Sequence, residues 1–110
     1  MDVEVISDRV RVTANATGLS VYRKQGSTWV DPKTVAWNDL VDAEFTVGTF
    51  DSVPALWAST KSPKRMHLVD SRLLSDQQWR EVKAAVAAWT SGRVDIDLSR
   101  RDDPPSITDF

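Results

Sequence analysis

A chain of 110 residues with 41% hydrophobic and 27% charged side chains has the proportions of one soluble globular domain, large enough to bury a core without staples. Its formal net charge of -2 supplies no global field for nucleic acid or an anionic membrane, and the absence of cysteine excludes disulfides, thiolate nucleophiles and cysteine-ligated zinc. No apolar run reaches the length of a membrane span, and the acidic start Met1-Asp2-Val3-Glu4-Val5 lacks the regions of a signal peptide, so the expected location is the cytoplasm.

Val3 and Val5, then Val10, Val12 and Ala14, alternate with polar residues at period two, and Ser7-Asp8 between them reads as a turn. Asn15-Ala16-Thr17-Gly18 is a second turn, after which Leu19 and Val21 resume the alternation. Arg23 to Ser27 reads as a third turn, followed by Thr28-Trp29-Val30. Asp31-Pro32-Lys33 is a fourth break, because proline removes a ladder donor and presets a turn. Thr34 to Trp37 is a short strand leading into Asn38-Asp39-Leu40. From Val41 to Val47, Ala43, Phe45 and Val47 face one way and Asp42, Glu44 and Thr46 the other, the pattern of a sheet with one wet face. Gly48 to Ser52 is a loop, Val53 to Ala58 a strand that starts or edges at Pro54, Lys61-Ser62-Pro63-Lys64-Arg65 a basic loop, and Met66 to Val69 a last strand.

Leu74 to Gly92 predicts one amphipathic helix. Ser75 is the N-cap and Gln78 completes a capping box, while Leu74 and Trp79 occupy the positions of a hydrophobic staple. Trp79, Val82, Val86 and Trp89, with Ala85 beside them, recur at helical spacing on one face. Gly92 supplies the stop. Beyond it, Arg93 to Leu98 alternates weakly, as a brief extension or an added edge strand. Ser99 to Phe110 has no apolar period, so 93–110 is expected as a flexible tail or one ordered by a partner.

About seven short strands followed by one helix predict an α+β chain, mainly antiparallel β, as a small barrel or sandwich capped by the helix at 75–91. Val35-Ala36-Trp37-Asn38-Asp39-Leu40, followed by Val41-Asp42-Ala43-Glu44-Phe45, resembles the Trp-x-Asp-hydrophobic signature of short bacterial pleckstrin-homology-like (PH-like) domains. The terminal helix with Trp79 and Trp89 on its inward face is the second point of resemblance. It spans residues 3–92 and implies a PH-like barrel, with 93–110 outside it. Phosphoinositide-binding members of that group use basic residues around the loop joining their first two strands. Their usual pattern is not matched here, though Arg9 and Arg11, or Arg23 and Lys24, stand in similar places.

No catalytic motif is present. His67 is the single histidine, and one histidine without cysteine gives a transition metal little to bind. Asp39, Asp42 and Glu44 lack the loop of a calcium site, and neither a P-loop nor a dinucleotide fingerprint occurs, so no cofactor and no metal are expected. The basic residues Lys61, Lys64 and Arg65 are candidates for contact with a lipid headgroup or nucleic acid, against which stand Asp8, Asp31 and Asp51. Of the five tryptophans, Trp29 and Trp57 adjoin turns or prolines, where full burial is hard, and tryptophan is enriched at interface hot spots. Ala84, Ala87 and Ala88 give the opposite helix face small residues that would let a second subunit approach.

These residues predict a non-enzymatic module that binds a protein through a sheet edge or the Trp57 region. The alternative is a small structural subunit of a phage virion or other symmetric assembly, with 93–110 as an inter-subunit arm. An enzyme using scattered carboxylates comes last. The preference for Asp over Glu and Arg over Lys suits a GC-rich bacterial or phage genome.

Overall fold

Period-two alternation becomes two antiparallel meanders in a computed structural model, which describes residues 2–47, 53–62 and 64–102. β1 (Val3–Ile6), β2 (Val10–Asn15), β3 (Gly18–Gln25) and β4 (Thr28–Val35) form a four-stranded sheet in chain order. β5 (Leu40–Val47), β6 (Pro54–Thr60) and β7 (Arg65–Asp70) form a three-stranded one. A 3-10 turn at Ser71–Leu73 leads into the helix α1 (Asp76–Trp89), and a 3-10 helix at Leu98–Asp102 ends the described chain. The fold class is α+β and mainly antiparallel β, as expected. The expected loop at Gly48 to Ser52 lies outside the described residues.

The core lies between the sheets and α1. Val5, Val12, Leu19 and Val21 enter it from the first sheet, Phe45, Leu56 and Ala58 from the second, and Trp79, Val82 and Val86 from the helix. The helix begins as its residues dictate. The Gln78 backbone N–H donates to the Ser75 hydroxyl, and the Gln78 side chain accepts from the Ser75 N–H, which satisfies two otherwise orphaned donors. The Gln78 amide also donates to the Ile6 carbonyl at 2.8 Å, tying the helix start to the end of β1. Trp79 is fully buried, its indole N–H 2.8 Å from the Ser71 carbonyl and its ring edge-on to Phe45 at 4.9 Å.

At its other end α1 stops on two left-handed residues, Ser91 (φ 54) and Gly92 (φ 78). The Gly92 N–H reaches back to the Ala87 carbonyl at 2.8 Å and the Ser91 N–H to that of Ala88 at 3.3 Å, a paired closure of the last turn. Serine at this position carries a Cβ where glycine carries none. Ser91→Gly is therefore expected to raise stability by about 0.5–1 kcal/mol, read as a higher urea midpoint at unchanged slope. A lower midpoint would refute it.

The strand reading is corrected at several positions. Asp31-Pro32-Lys33 does not end a strand, and Thr34-Val35 is not the start of a new one; β4 runs through all of them. Val21 pairs with Lys33 and Arg23 with Val30, so Tyr22 faces the extra residue of a bulge where Asp31 turns left-handed (φ 52). Proline is tolerated because β4 is an edge strand, whose outward donors have no ladder partner. A second bulge at Val41 sends both Leu40 and Ala43 inward. A third, opposite Leu56 and Trp57, buries both Leu68 and Val69, which places His67 and Val69 on different faces, contrary to simple alternation. Val47, expected inward with Phe45, is exposed at the strand end. Gly18, at the tight β2–β3 turn, has φ 147, and a Cβ there would run into the Val35 carbonyl oxygen.

The largest correction concerns residues 93–102. They are neither a flexible tail nor an edge strand. Val94 and Ile96 are 1% and 0% exposed, members of the same core as Trp79. The Arg93 guanidinium donates to the Leu40 carbonyl and, at 2.7 Å, to that of Trp37. Lys83 donates to the Ile96 carbonyl at 2.7 Å and pairs with Asp95, and Arg101 pairs with Asp76 in the first turn of α1. The segment thus runs back along α1 as a strap and fills the space between the helix and the three-stranded sheet. Its physical reason is that the helix stripe and the inner face of β5 and β6 leave apolar surface between them, which Val94 and Ile96 close. The domain therefore does not end at Gly92. At the strap's turn the Asp97 carboxylate accepts from the Ser99 hydroxyl at 2.6 Å and the Ser99 N–H at 3.0 Å, bonds that hold its pKa below the usual carboxylate value. Residues 103–110 lie outside the described part.

Candidate functional site

Inward-facing Ala43, Phe45, Leu56 and Ala58 leave the alternate residues of β5 and β6 on the outer face of the three-stranded sheet. Register sets that face out in rows. Glu44 stands beside Trp57 and Trp57 beside His67; Asp42 beside Ser59 and Ser59 beside Arg65; Thr46 beside Ala55 and Ala55 beside Asp70. Trp57 is half-buried at the centre of this face, on the middle strand. The His67 ring meets it edge-on at 5.3 Å, and the Arg65 guanidinium lies 5.1 Å above it, close enough for a cation–π contact. Arg65 also reaches Glu44 at 3.7 Å, and His67 Nε2 lies 3.3 Å from Asp70 Oδ1. The buried indole N–H of Trp57 has no acceptor among the described residues, an uncompensated cost for a buried donor.

Arg65 and Trp57 are thus brought together. Lys61 and Lys64 are not part of that contact; they stand exposed in the β6–β7 hairpin, and Pro63 lies outside the described residues. Arg65 belongs to β7 and not to the loop, and its half-exposed guanidinium contacts Trp57 and Glu44. Trp29 sits on the other sheet, half-buried beside its cross-strand neighbour Lys24, whose ammonium lies 5.7 Å from the ring centroid. Trp37, expected at the end of a strand, instead lies in the turn after β4, where it packs against the core, stacks on Trp89 at 6.0 Å and donates to the Asn15 carbonyl at 2.6 Å. On α1, Ala84 and Ala88 are exposed and Ala87 is half-buried. Glu44, His67 and Asp70 complete the Trp57 face without having been singled out for it. The register of β5 and β7 against β6 brings them there, and the bulge at Leu68 is what turns Asp70 outward.

A groove of about 680 Å³ lies between the Ser7–Arg9 turn and the β3–β4 hairpin, and Arg9, Arg23 and Lys24 line it. Asp8 and Asp31 line it too, and Arg23 is paired to Asp31 at 2.9 Å, so its charge is close to balanced. Arg11 is not part of it: it pairs with Glu4 and lies over the Tyr22 ring. Among the described residues no three carboxylate or imidazole groups are placed to hold a metal ion, and no helix is long and apolar enough to cross a membrane.

The sheet edges bear on how a partner docks. The Lys33 ammonium occupies the His67 carbonyl of edge strand β7 at 2.8 Å, and Arg93 occupies the Leu40 carbonyl of edge strand β5. The Ala43 N–H is taken up by the Asp42 carboxylate at 2.9 Å, and edge strand β4 carries Pro32 beside its bulge. Lysine, proline and bulges at edges are devices that discourage strand addition. No family model and no curated protein matches this chain.

Proposed function

We propose that the chain is a non-enzymatic interaction module on a PH-like scaffold, working in the cytoplasm and engaging a protein through the outer face of its three-stranded sheet. Two meanders of four and three strands with one following helix support the scaffold reading. The observation that carries the binding reading is Trp57: a half-buried indole at the centre of a sheet face, flanked by an arginine and a histidine, with an unsatisfied donor. Tryptophan and arginine clustered at the middle of a face are the residues that dominate interface energies. The capped carbonyls on β5 and β7 and the proline and bulge of β4 favour the Trp57 region over those edges.

The test is affinity capture from the source cell followed by mass spectrometry, with wild type, Trp57→Ala and Trp29→Ala compared at matched folding by circular dichroism. The expected result is a protein retained by wild type and by Trp29→Ala and depleted at least tenfold by Trp57→Ala. Equal retention by all three would remove the Trp57 face from the function.

A further inference from the structure

The Trp57 face is electrically two-sided. On one flank of the central strand stands β5, whose outward residues are Val41 in the bulge and then Asp42, Glu44 and Thr46; on the other stands β7, with Arg65, His67 and Asp70 outward. Glu44 and Arg65 are each about half exposed (51% and 52%) and so are available to a partner. An isologous interface demands a surface that complements itself under a two-fold rotation. For two sheets packed face to face, the axis lies in the interface and runs either along the strands or across them.

These choices are not equivalent. An axis along β6 lays the β5 column of one copy over the β7 column of the other. Row by row, Asp42 then meets Arg65, Glu44 meets His67, and Thr46 meets Asp70, while Trp57 meets Trp57 on the axis. No like charges oppose each other. An axis across the strands sets Glu44 against Glu44 and His67 against His67. We propose that the outer face of the three-stranded sheet pairs with a second copy of this chain about a two-fold axis parallel to β6, with Trp57 at its centre. The proposal rests on the Trp57 face being the interaction surface and names its occupant.

In the separate chain Arg65 covers Trp57 and leans toward Glu44. In the pair it swings to Asp42 of the second copy, and the indole it uncovers is buried by the other indole at the sheet-to-sheet spacing of about 10 Å. The face is small. Three strands about 4.8 Å apart, with roughly seven residues each at about 3.3 Å, offer some 330 Å² per copy, about two-fifths of a standard interface. Association is therefore weak, and concentration is the variable to scan.

The experiment is sedimentation velocity on the full chain from roughly 10 µM to 1 mM, with Asp42→Arg, Arg65→Asp and their equimolar mixture. Circular dichroism melts of both variants keep folding separate from association, since Asp42 also caps the Ala43 N–H. The wild type is expected to shift from monomer to dimer across the range. Each single variant sets like charges against each other at two symmetry-related points and is expected to weaken pairing at least tenfold. Their mixture restores both pairs as a heterodimer. A wild type monomeric throughout overturns the proposal while leaving the Trp57 face to the capture comparison. A dimer indifferent to either reversal overturns it too, because another surface would then be pairing.

Discussion

A chain ending at Gly92 is expected to lose its cooperative unfolding transition. Such a truncation removes Val94 and Ile96, both essentially fully buried, and the Arg93 guanidinium that holds the Trp37 and Leu40 carbonyls. Burial of a valine or isoleucine side chain is worth about 1.5–3 kcal/mol. Losing the two costs roughly 3–6 kcal/mol, which is comparable to the whole stability of a small domain at about 5–15 kcal/mol. It also exposes the apolar surface of α1 and the second sheet that the strap covers. The milder Ile96→Ala is expected to stay folded and to lose about 2–4 kcal/mol, a drop of roughly 2 M in urea midpoint. Urea titrations followed by far-ultraviolet circular dichroism check both. A truncated chain that unfolds at the full-length midpoint would mean that the strap is not part of the core. The consequence for the assembly reading is direct: an inter-subunit arm cannot start at residue 93, because 93–102 is committed to the chain's own interior.

Trp79 carries the second large effect. It is 0% exposed, packs its ring against Phe45 and donates its indole N–H to the Ser71 carbonyl. Through these contacts it joins α1, the second sheet and the turn between β7 and the helix. Trp79→Ala opens a cavity at that junction and is expected to cost about 3–5 kcal/mol. Trp79→Phe keeps an aromatic ring against Phe45 but leaves the Ser71 carbonyl without its donor, at about 1–3 kcal/mol. The ordering is the prediction: Ala far below Phe, Phe below wild type, in urea midpoint. Should Phe and Ala be equivalent, the hydrogen bond to Ser71 would outweigh the packing, and the account of this residue would be wrong. By contrast Trp57→Ala, on the outer face, is expected to leave the unfolding free energy within about 1 kcal/mol of wild type while changing association.

The helix and the strand alternation were legible because their signals are local. A capping box, a stripe at three- and four-residue spacing and a glycine stop all lie within one stretch of chain, and each acts on backbone a few residues away. Trp57 was legible as incompletely buried, because Pro54 starts its strand and the neighbouring residues are small or polar. Its companions were not. Arg65 read as one of a loop's three cations, and only the register of β6 against β7 turns it onto the Trp57 ring.

Bulges account for most of the remaining distance between sequence and structure. One extra residue at Val41, at Asp31 or at Leu68 shifts everything beyond it by one position on a period-two pattern. Strict alternation therefore assigns some faces wrongly. Whether a bulge forms depends on packing across the sheets, which no local window contains.

The strap shows the same division at larger scale. Val94 and Ile96 alternate with aspartates just as a half-wet edge strand would, and that pattern is all their neighbourhood encodes. Residue chemistry near each position was enough to set the class of fold, the helix limits and the placement of most turns, since these depend on interactions within a few residues. The bulges, the docking of 93–102 and the charge layout around Trp57 depend on surfaces that meet only after both sheets and the helix have come together. The tertiary structure alone decides those.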